Sequence, residues 1–142
     1  MVGPKSAVFT TVRARKGELF HLDLHLERLA KHAEILGIKV PEVIIPSELE
    51  GLVRIEIHSD RASFDVKPFY QEIHMEAEGI TVPAPRWTRK VTCTKHGDWQ
   101  PYRKITQDVF AKGADVGLLV HDYCIIAVSY THLRAHETPE HL

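Results

Sequence analysis

From Ala7 to Arg15 the side chains alternate in period two through Val8, Thr10 and Val12, break at Lys16-Gly17, and resume at Leu19 and Phe20. Alternation on both sides of a glycine turn predicts a β-hairpin. The period then changes: Leu22, Leu26, Leu29, Ala33 and Leu36 recur at helical spacing, Glu27, Lys31 and Glu34 take the other side, and Gly37 stands where a C-cap glycine belongs. That pattern predicts an amphipathic helix over Leu22–Leu36. Past Pro41 and Pro46, Leu52–His58 and Ala62–Lys67 alternate again around a Ser59-Asp60 turn, which predicts two paired strands. One helical stripe flanked by alternating strands predicts a compact α+β unit over Ala7–Phe69, with the helix packed across a mostly antiparallel sheet.

The second half is more broken. Ile73 and Met75 alternate in the strand manner within Glu72–Gly79, and Val82–Arg86, with Pro83 and Pro85, has the composition of a stiff connector. Val91–Thr94 reads as a short strand and Lys95–Trp99 as a loop. Pro101 suits the first turn of a helix whose Tyr102, Ile105, Val109 and Phe110 face inward and which Gly113 closes. Val116–His121 is an apolar strand that turns back into Cys124–Ile126. The expected organisation is an N-terminal α+β domain over residues 1–82 and the opening elements of a second domain over 83–126.

From Val128 neither alternation nor a helical stripe survives. Residues 128–138 (Val-Ser-Tyr-Thr-His-Leu-Arg-Ala-His-Glu-Thr) resemble the translation of a sequencing-library transposon adapter, with Ala127 as the codon shared between gene and adapter. Residues 127–142 are therefore expected to be a non-native tail and are set aside from fold reasoning. The tail carries three of the ten histidines, which removes a histidine-rich metal segment from consideration.

Composition narrows the function classes. A formal charge of −1 supplies no field to draw nucleic acid or an anionic membrane, and 44% hydrophobic with 26% charged residues match an ordinary soluble domain. The apolar runs are far short of the roughly 20 residues that span a bilayer, and no signal peptide opens the chain, so the cytoplasm is the expected compartment. Cys93 and Cys124 sit in no metal-binding spacing and read as buried free thiols. His21, His25 and His32 allow an i,i+4 pair, but no Glu follows His21 in the metalloprotease manner. A solvated helix face is expected there, and no metal. Taken alone, Lys95 is a surface lysine between a strand and a helix, and Arg28 a helix arginine within reach of Glu27 or Glu34. Trp87 and Trp99 fit a core or a pocket equally.

Four stretches together resemble the aminotransferase class IV family, the fold-type IV pyridoxal-phosphate enzymes. Val8-Phe9-Thr10-Thr11-Val12-Arg13 is similar to the opening strand, commonly Gly-Val-Phe-Glu-Thr-x-Arg, with Lys16-Gly17 at its turn. Leu22–Ala33 resembles the first helix, a His-Leu-x-Arg-Leu pattern followed by Ser-Ala. Thr94–Trp99 resembles the lysine segment, often Lys-His-x-Asp, and Gly113–Asp122 the strand Gly-Ala-Asp-Glu-x-Leu-Leu-x-Asp. The resemblance is collinear over Ala7–Ile126 and implies the fold-type IV N-terminal domain followed by a truncated second domain.

It also implies a cofactor, pyridoxal 5′-phosphate, an electron sink that needs a lysine amine to bind it and to move protons at the substrate α-carbon. By position Lys95 is then the Schiff-base and catalytic lysine. Arg28 matches the arginine that contacts the cofactor phosphate, a task for a planar, permanently charged fork. Arg13 matches an arginine on the substrate side. The glutamate that bonds the pyridine nitrogen falls on position 127, here Ala127, and Tyr123 replaces the usual turn glycine. The implied parent is a homodimeric transaminase acting on an amino acid and a 2-keto acid, of the branched-chain or D-amino-acid type; the alternatives are an aminodeoxychorismate lyase and a non-catalytic relative serving as a binding module. The chain as it stands is expected to lack turnover.

Overall fold

A computed structural model of the chain describes residues 6–69 and 76–128. The chain divides into two compact units, Met1–Ile73 with Arg86–Trp99, and His74–Pro85 with Gln100–Leu142. Segment 86–99, which carries Lys95, thus belongs with the first unit, across the sequence-based boundary at 82/83.

In the first unit β1 (Ala7–Arg15) turns into the two-residue β2 (Glu18–Leu19), and α1 (Leu22–Leu36), β3 (Gly51–His58) and β4 (Ala62–Lys67) follow. The sheet order is β2-β1-β3-β4, with every pair antiparallel. Lys16 and Gly17 both have positive φ, the signature of the two-residue turn whose twist matches a hairpin. Val8↔Ile57, Thr10↔Ile55 and Val12↔Val53 pair across β1 and β3, so these six side chains share one face. Against that face α1 lays Leu29, Ala33 and Leu36, all buried, with Leu26 half-buried beside them. Gly37, at φ 72°, ends the helix, and the Ile38 N–H donates to the Ala33 carbonyl in the manner of a glycine C-cap. The expected α+β unit is therefore present, with its helix across an antiparallel sheet.

Two local expectations fail here. Val91–Thr94 is not a strand: Arg89–Thr92 forms a one-turn helix, α2, whose Val91 enters the core beside α1. Cys93 is exposed, not buried, and so is Cys124 in the second unit.

The second unit holds a three-stranded sheet, β5 (Gly79–Pro83), β6 (Val116–His121) and β7 (Cys124–Val128), in which β5 and β6 are parallel and β6 and β7 antiparallel. Val82 and Pro83 thus belong to a strand, not to a connector. A parallel edge strand tolerates a proline at its end, where no ladder hydrogen bond is lost. The helix expected after Pro101 is α3 (Gln100–Ala111); Val109 is buried on it, whereas Phe110, expected inward, is 57% exposed. The alternation at Ile73 and Met75, and the tail beyond Val128, lie outside the described residues.

The β6–β7 turn forms without glycine. Asp122 (φ 47°) and Tyr123 (φ 64°) both take the left-handed conformation, and the Tyr123 side chain is fully exposed, gaining no contact that offsets the strain. Tyr123→Gly should therefore stabilise the hairpin by about 0.5–1 kcal/mol. Slower amide exchange at Val120 and Ile125 would show it; unchanged or faster exchange would contradict it.

Candidate active site

Lys95 is placed by backbone pairing. Over its N-terminal half β1 has β3 on one edge, and on the other it receives the extended segment Lys95–Gly97. Phe9 N–H donates to the Lys95 carbonyl (2.9 Å) and Gly97 N–H to the Ala7 carbonyl (2.8 Å), with Val8 and His96 directly paired. Strand parity then assigns the faces. His96 goes inward with Val8 and is buried against Trp87, while Lys95 goes to the face of Phe9, its ammonium 5.2 Å from that ring's centre. Gly97 is required by the close approach: a Cβ there would lie 2.8 Å from the Ala7 Cβ.

The Phe9 ring is the floor of this face. The Arg54 guanidinium, from β3, lies over it at 3.8 Å, and Trp99 meets it edge-on at 5.0 Å. Arg54 is held there by Glu56, whose Oε2 accepts from its Nε (3.1 Å) and Nη2 (2.8 Å); the second Glu56 oxygen is 3.0 Å from His58 Nε2. Sequence reasoning missed Arg54, and the only signal was its place in the alternating β3 pattern.

From α1 come Arg28, His25 and His32, at spacings of three and four residues along one stripe. Arg28 pairs with neither Glu27 nor Glu34; Glu27 is taken by Lys31. Instead Arg28 Nη2 donates to Thr10 Oγ1 (2.8 Å) and lies 3.2 Å from His25 Nδ1, itself 2.6 Å from the Thr10 hydroxyl. His32 Nδ1 accepts the Lys95 backbone N–H at 3.0 Å. The expectation of a solvated histidine face therefore holds for His21, which is exposed, but not for His25 and His32, which turn onto β1 and the lysine segment. Thr10 was the legible signal: a polar, fully buried residue between Val8 and Val12 on the core face needs partners.

The charges are unbalanced. Among the described residues no carboxylate pairs with Arg28 or Lys95, and Arg28 Nε is buried with no hydrogen-bond partner. Although Lys95 as a residue is exposed, burial around its ammonium, followed by the positive charges of Arg28 and Arg54, pushes it below the ordinary lysine pKa of 10.5. His25 and His32 are held below 6.5 by burial first and then by Arg28 and Lys95; burial lowers His96 against the opposing pull of Asp98. Cations gathered without counter-charge, one of them with an idle buried donor, suit an anion, and a lysine of lowered pKa suits attack on a carbonyl carbon. By type, an amine and a guanidinium suit the aldehyde and the phosphate of pyridoxal phosphate.

Arg13 is not gathered here. It lies farther along β1, four residues from Phe9 or about 13 Å of strand, with its guanidinium 4.4 Å from the centre of the Phe69 ring and 5.9 Å from that of Phe20. It lines a separate open depression of about 460 Å³ with Arg15, Glu50 and Phe69. No group of three or more His, Cys, Asp or Glu is arranged to hold a metal among the described residues, and none of their helices is long and apolar enough to cross a membrane.

Comparison with known proteins shows the family and the fold. Residues 7–120 match the family described as amino-transferase class IV. Among solved structures the chain is similar to a "putative 4-amino-4-deoxychorismate lyase" (23% identity, TM-score 0.65, covering 84% of this chain and 55% of that one). A protein of the same description from Legionella pneumophila is 15% identical, with a TM-score of 0.62 and coverages of 86% and 57%. A hypothetical aminotransferase from Mycobacterium tuberculosis, solved with α-ketoglutarate and PMP bound, is 17% identical, with a TM-score of 0.62 and coverages of 82% and 52%. The chain thus spans little more than half the length of these structures. Nothing among proteins of curated function matches it.

Two outcomes follow from the geometry. Gly97→Ala should push the lysine segment off β1 and destabilise the first unit by about 1–3 kcal/mol, visible in urea unfolding; a wild-type midpoint would show that the Ala7 contact can yield. The second concerns pH. Between their lowered folded values and 6.5, His25, His32 and His96 are neutral in the fold and protonated in the unfolded chain, which there binds more protons. Stability therefore falls as pH drops through 6.5 and levels off below the folded values. A urea midpoint flat between about pH 7 and about pH 5 would contradict this.

Proposed function

The chain belongs to the class IV amino-transferases, and from that premise we propose that it is the lysine-bearing portion of a pyridoxal-phosphate enzyme that transfers an amino group between an amino acid and a 2-keto acid. The family is pyridoxal-phosphate-dependent and acts on small amino and keto acids. What supports carrying the proposal to particular residues is that the Lys95 N–H is held by His32, one helical turn from Arg28, and that the charges of Arg28 and Arg54 help to lower the Lys95 pKa.

When bound, pyridoxal phosphate supplies an electron sink for the substrate α-carbon. In this reading the work of the chain's own residues divides by their placement. Arg28 binds the phosphate end. Lys95, more often neutral than an ordinary lysine at a given pH, supplies the amine and holds or moves a proton at its Nζ. Phe9 and Trp99 keep water from one side of that amine, and Arg54, carried over Phe9, offers a fixed positive charge to a substrate carboxylate. Arg13, farther along the same face, would reach only the remote end of a long substrate.

The position aligned with the ring-nitrogen carboxylate is Ala127, which carries no acid. We therefore propose that the chain captures the cofactor without sustaining turnover, and that the whole enzyme is a homodimer. A lyase acting on 4-amino-4-deoxychorismate would use the same lysine and the same phosphate ligand, and the similarity to two structures of that description favours keeping it beside the transaminase. Pyruvate release from the chorismate-derived substrate would separate the two. A non-catalytic binding module would retain the fold without capturing the cofactor.

The test is borohydride trapping of pyridoxal phosphate on the 142-residue chain, with the modified residue located by mass spectrometry. Capture at Lys95 is expected, abolished by Lys95→Ala and weakened about tenfold or more by Arg28→Gln, the loss of a charge-assisted hydrogen bond. Capture spread over several surface lysines, or unaffected by Lys95→Ala, would overturn the assignment.

A further inference from the structure

Thr10 is an unusual residue for its place. It is fully buried in the middle of the apolar face of β1, and its hydroxyl is engaged twice, by Arg28 Nη2 at 2.8 Å and by His25 Nδ1 at 2.6 Å. The directions of these bonds are fixed by chemistry. A guanidinium can only donate, so Thr10 Oγ1 accepts from Arg28; its single hydrogen is then free to go to His25, whose Nδ1 must accept. The 3.2 Å approach of Arg28 Nη2 to the same Nδ1 requires that acceptor too. This pattern calls for a neutral His25 with its proton on Nε2.

We propose that Thr10 and His25 are positioning residues for Arg28: by engaging Nη2 from the β1 side they hold the guanidinium in one orientation, in which its remaining N–H groups are left for the phosphate. This rests on the reading of Arg28 as the phosphate ligand. Arg28 is steered here by two uncharged acceptors and keeps its whole positive charge for the anion. The orientation is set before any ligand arrives, which spares the ligand the ordering of a long side chain.

Two measurements on the 142-residue chain test it. Long-range proton–nitrogen correlations at pH 8 should show His25 with an unprotonated Nδ1 and a protonated Nε2; a proton on Nδ1 overturns the relay, whatever any variant does. Thr10→Val keeps the volume and removes the hydroxyl, whereas Thr10→Ser keeps the hydroxyl. The valine variant should bind both inorganic phosphate and pyridoxal phosphate about tenfold more weakly, yet reach the wild-type extent of borohydride capture at saturating cofactor, while the serine variant binds as the wild type does. Wild-type affinity in Thr10→Val, with Arg28→Gln weakened, overturns the positioning role alone. Wild-type affinity in Arg28→Gln overturns the phosphate reading, and this inference with it.

Discussion

The pairing of Lys95–Gly97 with the otherwise uncovered edge of β1 is the constraint on which the rest of the site depends. Two main-chain hydrogen bonds set not only where the segment runs but which way each side chain points, because strand parity gives His96 to the core and Lys95 to the opposite face. A slip by one residue would exchange them, burying an ammonium against Val8 and exposing an imidazole. Three local features protect the register: the buried His96 packed against Trp87, the absence of a Cβ at Gly97 facing Ala7, and the His32 Nδ1 that accepts the Lys95 N–H. α1 therefore contributes to the site twice, once by clamping the lysine segment and once by carrying Arg28.

Around that framework the electrostatics work against folding. Arg28 and Arg54 each disfavour the charged form of Lys95, and of the three only Arg54 has a carboxylate, Glu56, in direct contact. A fold could relieve this with further acids. For Arg28 it instead interposes neutral groups that can accept: Thr10 and His25 Nδ1. Neutral acceptors satisfy the donors without cancelling the charge, so the positive potential persists for a ligand. Such a site is stabilised by the anion it binds, by mass action.

How far the sequence disclosed all this varied with the kind of order involved. β1, α1, β3 and β4 were legible because each buries one face and so carries an unbroken period. α2 was not: Val91, Thr92 and Thr94 have strand-forming side chains, and the single helical turn exists because Val91 finds the core beside α1, a tertiary effect that overrides local preference. β5 was hidden by prolines that an edge strand accommodates at its end. At the candidate site, Lys95 and Arg28 were singled out only through family resemblance, since neither type in that spacing distinguishes itself from surface charge. His25 and His32 were misread for a related reason. A helical wheel separates apolar from polar stripes, but it cannot report that a polar stripe is covered by another segment, here one sixty-three residues away in the chain for His32.

The two ends of the site are consequently secured by different means, and this governs what substitution can do to each. Lys95 is held mainly by its own backbone, so most neighbouring side chains can change without moving it; the sensitive positions are those where bulk would separate two backbones, Gly97 and Ala7. Arg28 is held by side chains alone, through Thr10 and His25, so loss of either acceptor frees its guanidinium to reorient. Within this fold the lysine position is therefore mechanically conservative, whereas the setting of Arg28 can be retuned by single substitutions on β1 and α1.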